Sequence, residues 1–98
     1  MSWLKDMIFG AASAAYQVEG AYNCDGRGLS IWDALSDGYV KHVDNGNTAC
    51  DEYHRFREDI ALMKKLNLQA YLFSVSWPRI IPKEGVVNEK GIRYYQNL

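Results

Sequence analysis

Thr48 to Val75 reads TACDEYHRFREDIALMKKLNLQAYLFSV, and two periodicities meet inside it. Tyr53, Phe56, Ile60 and Met63 recur at spacings of three and four, which places them on one face of a helix. Arg55, Arg57, Glu58, Asp59, Lys64 and Lys65 supply the wet side. Thr48 is placed to cap the start, and Asp51 follows where a carboxylate suits the positive end of the helix dipole. Asn67 can take the left-handed conformation that closes a helix. A helix over Asp51–Leu66 is expected. Gln69 to Val75 then carries aromatic and branched residues on both alternating faces, as a strand of a parallel sheet does.

Upstream, the apolar run Met7–Ser13 ends in small residues and reads as a short buried strand running into a close-packed turn. Asn23 to Asn47 is rich in Gly, Asp, Asn and Ser, and is expected to be a long loop with one helical turn near Ser30–Leu35. Downstream, Trp77–Pro82 breaks the second strand, and Pro82-Lys83-Glu84-Gly85 has turn chemistry. A further helix opens at Asn88, with Ile92, Tyr95 and Leu98 on one face. The order strand, helix, strand, helix predicts an α/β chain built from parallel βαβ units. Two strands cannot cover both faces of a sheet, so residues 1–98 read as one piece of a single larger domain.

Acids and bases are interleaved along the 98 residues and leave a net charge of −1. No basic stripe is offered to a nucleic acid backbone, so no nucleic acid partner is expected. No apolar run is long enough to span a bilayer, so no membrane partner is expected either. The first residues lack the apolar stretch of a secretory signal, and a cytoplasmic location is expected. Cys24, Cys50, His42 and His54 match no zinc spacing. Two reduced thiols and no metal are expected.

The stretch Phe9-Gly10-Ala11-Ala12-Ser13-Ala14-Ala15-Tyr16-Gln17-Val18-Glu19-Gly20-Ala21 resembles the N-terminal signature of the family-1 glycoside hydrolases, the β-glucosidase type. Met7 stands where that signature begins with Phe. Further segments resemble the same family in the same order: Ser30-Ile31-Trp32-Asp33, then Cys50-Asp51-Glu52-Tyr53-His54-Arg55 with Glu58-Asp59. Phe73-Ser74-Val75-Ser76-Trp77-Pro78-Arg79-Ile80 and Asn88-Glu89-Lys90-Gly91 with Tyr94-Tyr95 complete the series. The resemblance implies a (β/α)₈ TIM barrel with its active site at the C-terminal ends of the strands, of which this chain would hold the first two βα units and remain incomplete.

Retaining hydrolysis needs two carboxyl groups roughly 5 Å apart. The resemblance places them in an Asn-Glu-Pro and a Glu-Asn-Gly motif, and neither occurs in this chain. Asn88-Glu89-Lys90 is a superficial echo at a helix start, where Glu suits the dipole. No catalytic residue and no cofactor are therefore assigned. The resemblance makes Gln17 the substrate-binding residue, its amide bonding two adjacent sugar hydroxyls as donor and acceptor at once. The plainer reading is a Gln that satisfies backbone groups in a turn. Glu19 is expected to be a paired, partly buried structural carboxylate. Trp32 and Trp77 either stack on sugar faces or fill space under the barrel rim, and the second is expected.

Leu72 departs from the family, which carries Arg between the Tyr71 and Phe73 positions. The resemblance gives that Arg to the nucleophilic carboxylate, whose pKa a neighbouring cation lowers by about 1–3 units. Three readings of function follow. The first is a fragment of a retaining β-glycosidase that hydrolyses β-linked glucosides, inactive alone, with a 6-phospho-β-glycosidase as a close variant. The second is a catalytically dead remnant or truncated product. A small sugar-binding module is a third reading, set against the open edges that two βα units leave. The expected partners are a β-glucoside or oligosaccharide in the complete protein, and other copies of the exposed fragment.

Overall fold

The computed structural model describes Trp3, residues 5–39 and residues 44–98. Its elements are β1 (Gly10–Ala12), α1 (Ala15–Val18), α2 (Ile31–Tyr39), α3 (Glu52–Lys65), β2 (Ala70–Leu72), α4 (Trp77–Ile80) and α5 (Glu89–Asn97). The strands pair in parallel, Gly10 opposite Ala70 and Ala12 opposite Leu72. The backbone ladder extends one residue further each way, from Gln69 N–H to the Phe9 carbonyl (2.7 Å) and from Ser13 N–H to the Leu72 carbonyl (2.9 Å). A Cβ at Gly10 would lie 2.6 Å from the Ala70 carbonyl oxygen, so this close pairing requires glycine.

Both strands are shorter than Met7–Ser13 and Gln69–Val75. At their N-terminal ends the reason lies in α3. Asn67 N–H bonds the Lys64 carbonyl and Leu68 N–H bonds the Met63 carbonyl, a Schellman closure. Asn67 takes the left-handed conformation there, with φ of 60°, as expected. Those bonds hold Asn67 and Leu68 to the helix, and nothing is left opposite Met7 and Ile8.

The start of α3 differs from expectation. Thr48 does not cap it. The Thr48 carbonyl accepts from Asp51 N–H in a turn (2.8 Å), and Asp51 precedes the helix with φ of 53°. Its carboxylate lies 2.8 Å from His54 Nδ1, and buried Glu52 occupies the first helical position. The apolar stripe is where periodicity put it: Tyr53 is buried, and Phe56, Ile60 and Met63 are half-buried.

The long loop is also corrected. It contains nine-residue α2 in place of a single turn. Ser30 and Asp33 bond reciprocally at its start, Ser30 N–H to Asp33 Oδ2 (2.7 Å) and Asp33 N–H to Ser30 Oγ (3.3 Å), a capping box. The Gly85 turn falls at Lys83–Val86, one residue later than its chemistry suggested, with φ of 77° at Gly85. On α5 the buried residues are Gly91 and Tyr94, flanked by half-buried Ile92, Tyr95 and Leu98. A Cβ on Gly91 would sit 2.0 Å from the Arg79 carbonyl oxygen, which is how closely α5 approaches α4.

Among the described residues the buried apolar core is Ala21, Tyr53 and Tyr94, with Cys24, Phe56 and Tyr95 packed against it. One face of the sheet, carrying Ala11 and Tyr71, turns toward this core. The other, carrying Gly10, Ala12, Ala70 and Leu72, is open. The accessible surface is 7294 Å², against roughly 5700 Å² for a self-contained globule of this mass. The radius of gyration is 15.8 Å, against roughly 13 Å. Both excesses describe a slab with one uncovered side.

Candidate functional site

In a parallel α/β sheet, ligands bind beyond the carboxyl ends of the strands. At that edge the chain leaves β1 into α1 and leaves β2 toward α4, and Ala15 N–H bonds Ser74 Oγ (2.8 Å) to tie the two exits together. A groove of about 240 Å³ opens between them, lined by Tyr16, Arg27, Trp32, Ser74, Ser76 and Trp77. A second recess of about 270 Å³ lies beside Gln17, with Gly46 and Ala49 opposite. Tyr16 lines both. Its ring stacks on Trp32 with centroids 5.9 Å apart, and its hydroxyl accepts from Gly46 N–H at 2.8 Å.

Gln17 lies in α1, exposed, with its backbone N–H bonded to the Ala14 carbonyl. The helix is four residues long and has no side-chain cap, so it is not stable on its own account. Trp32 is 53% and Trp77 67% exposed, so neither fills space in this chain. In a two-stranded sheet no third strand stands beside Trp77. Leu72 is 71% exposed, on the open face with Gly10 and Ala12.

Beneath this rim lies a buried polar layer. Glu19 is 4% and Arg79 1% exposed. Arg79 Nε donates to Glu19 Oε1 at 2.8 Å, and its Nη2 and Nη1 donate to the Gly20 and Ala21 carbonyls at 3.0 and 3.4 Å. The guanidinium also lies over the Tyr53 ring, 4.3 Å from its centroid. The Tyr95 hydroxyl donates to Glu19 Oε2 and accepts from Ser76 N–H at 2.7 Å. Burial pushes the Glu19 carboxyl above its ordinary pKa, while the Tyr95 hydroxyl and the Arg79 guanidinium pull it back. Glu52 forms a second node, accepting from the Tyr71 and Tyr94 hydroxyls at 2.8 and 3.0 Å. A third joins Arg27 Nη1 to Asp33 Oδ2 at 2.8 Å. The bonds from Ser30 and Arg27 hold the Asp33 carboxyl below its ordinary pKa against the opposing effect of burial.

Glu19 is thus the paired structural carboxylate that was expected, and more deeply buried. Arg79 and Tyr95 were missed as its companions, and buried Glu52 was missed as a second node. A buried carboxylate demands a cation, but the eleven Lys and Arg are equally eligible in sequence. Cys24 and Cys50 are free thiols. Among the described residues no three His, Cys, Asp or Glu side chains gather, and His42 lies outside them.

Residues 1–98 match, along their whole length, the family described as glycosyl hydrolase family 1. The chain belongs to that family. It is 52% identical over 96% of its length to β-glucosidase A of Acetivibrio thermocellus, covering 22% of that protein. It is 51% identical over 99% of its length to the aryl-phospho-β-D-glucosidase BglC of Bacillus subtilis, covering 21%. Its structure superposes on a β-glucosidase from Thermotoga maritima, solved in complex with castanospermine, with a TM-score of 0.88 and 48% identity. That match covers 92% of this chain and 21% of the other. The chain therefore spans about a fifth of the length of the family-1 proteins it matches. The open sheet face and the small core agree with a part of a larger fold.

Proposed function

We propose that this chain supplies the first two βα units of a (β/α)₈ retaining β-glycosidase acting on β-linked glucosides, with Gln17 holding the nonreducing sugar. The observation that carries the reading is the exposed Gln17 amide beside a recess at the carboxyl edge of both strands, in a chain of this family. An amide there donates to one hydroxyl of a vicinal pair and accepts from its neighbour. The proton donor and the nucleophile come from outside residues 1–98, because neither carboxylate motif occurs within them. Alone, the chain is expected to hydrolyse nothing.

The test is a hybrid barrel in which residues 1–98 replace the corresponding fifth of Acetivibrio β-glucosidase A, assayed on a nitrophenyl β-glucoside. Gln17→Ala removes two sugar hydrogen bonds, at about 1–3 kcal/mol together, and kcat/KM should fall roughly 10- to 100-fold. An active hybrid indifferent to Gln17→Ala would overturn the sugar contact. Leu72 favours a second reading, a catalytically dead remnant. A folded but inactive hybrid that Leu72→Arg restores would support that one. Activity on 6-phospho-β-glucosides alone would assign the chain to the phosphorylated branch.

A further inference from the structure

Gln17 belongs to a four-residue helix with no side-chain cap, so something outside α1 must hold its amide in place. The neighbouring bonds converge on one residue. Glu19 N–H bonds the Ala15 carbonyl at 2.9 Å and closes α1, and the Glu19 carbonyl accepts from Tyr53 N–H at 3.0 Å, joining α1 to α3. Its carboxylate takes Arg79 from α4 on one oxygen and Tyr95 from α5 on the other. Arg79 in turn grips the Gly20 and Ala21 carbonyls immediately downstream. Gly20 admits this only because it is glycine: its φ is 63°, and a Cβ would meet the Thr48 carbonyl oxygen at 2.1 Å. The chain from residue 19 to 21 is thereby fixed at every polar group these bonds reach, while Gln17, two residues upstream, stays exposed.

We propose that Glu19 and Arg79 are a positioning pair, which sets the Gln17 amide at the strand edge without touching the sugar itself. The proposal rests on the reading of Gln17 as the sugar contact. The pair joins both strand exits, one residue on the β1 side and one on the β2 side, so it also fixes the spacing of the groove walls. A point charge cannot replace the guanidinium, because Arg79 bonds in three directions and stacks on Tyr53.

Two measurements test it. The first is hydrogen exchange on the hybrid barrel carrying Glu19→Gln or Arg79→Lys. The amides of residues 15–19 should exchange at least tenfold faster, while those of residues 60–66 in α3 and its closure keep their rates. Unchanged exchange at 15–19, or an equal rise throughout α3, would overturn the proposal, the latter because the pair would then be general support. The second is a double-mutant cycle in the hybrid barrel. Glu19→Gln should raise KM more than it lowers kcat, and adding Gln17→Ala should cost less than threefold further, since both changes remove the same contact. Losses that multiply would overturn it. A folded hybrid that is inactive both as the parent and with Leu72→Arg, combined with fast exchange at 15–19 in the Glu19 or Arg79 variants, would sink the glycosidase reading and leave the anchor standing.

Discussion

Leu72 sits on the sheet face that a barrel would enclose, 71% exposed in this chain. It brings neither charge nor a hydrogen-bond donor to that face, and its register partner Ala12 brings none either. A nucleophilic carboxylate placed above it would lack the cation that keeps such a group ionised, an effect of about 1–3 pKa units. Leu72→Arg in the hybrid barrel should therefore raise kcat on a nitrophenyl β-glucoside at least tenfold and move the acidic limb of the pH profile downward. No gain would remove the explanation. At the residue scale the structure bears out one sequence reading, Glu19 as a paired buried carboxylate. Gln17, Glu19 and Leu72 stood out because fixed neighbours on both sides set their register. Arg79 did not, because its partners lie 58 to 60 positions away and only packing selects one cation from many.

At the scale of elements, α3 was legible because its signals are local: a stripe at helical spacing and an Asn suited to positive φ. Its start was not, because Thr48 has the chemistry of a cap but its carbonyl closes a turn on Asp51 N–H, and Asp51 enters the helix at positive φ with its carboxylate on His54. The closure can be tested. Asn67→Val puts a β-branched residue at φ of 60° and should cost about 1–2 kcal/mol in chemical denaturation, whereas Asn67→Gly should be close to neutral. The phenols joining α3, β2 and α5 make a second expectation. Burial, aided by the bond to Asp25, pushes Tyr53 up to about 12 from the ordinary 10.0. Burial and the Glu52 carboxylate do the same for Tyr71, with the Ser13 hydroxyl opposing. A group whose folded pKa is raised stabilises the fold below its unfolded pKa and loses that contribution as pH rises through the folded one. Stability should hold to about pH 10 and fall toward about pH 12, with late tyrosine ionisation in ultraviolet titration. Ionisation complete near the ordinary value would contradict it.

The whole molecule is a slab, 49 × 34 × 21 Å, whose uncovered side carries apolar surface. Ile8, Leu72 and Trp77 are each more than two-thirds exposed, and both strands are edge strands. Exposed apolar surface and free edges favour association. The isolated chain should sediment as a concentration-dependent mixture and melt broadly, whereas a soluble monomer with a sharp cooperative melt would show that the two units stand alone. The parallel βαβ order was visible in sequence as two periodicities in succession. The thinness of the core was not, because apolar content says nothing of which faces find a partner. The buried ion pair adds a consequence in time. Glu19 and Arg79 are 60 positions apart, and a ribosome adding roughly 5–20 residues per second needs several seconds to cover that distance. Through that interval the helix bearing Gln17 has been made but has no anchor, so within residues 1–98 this segment is made well before it can be set.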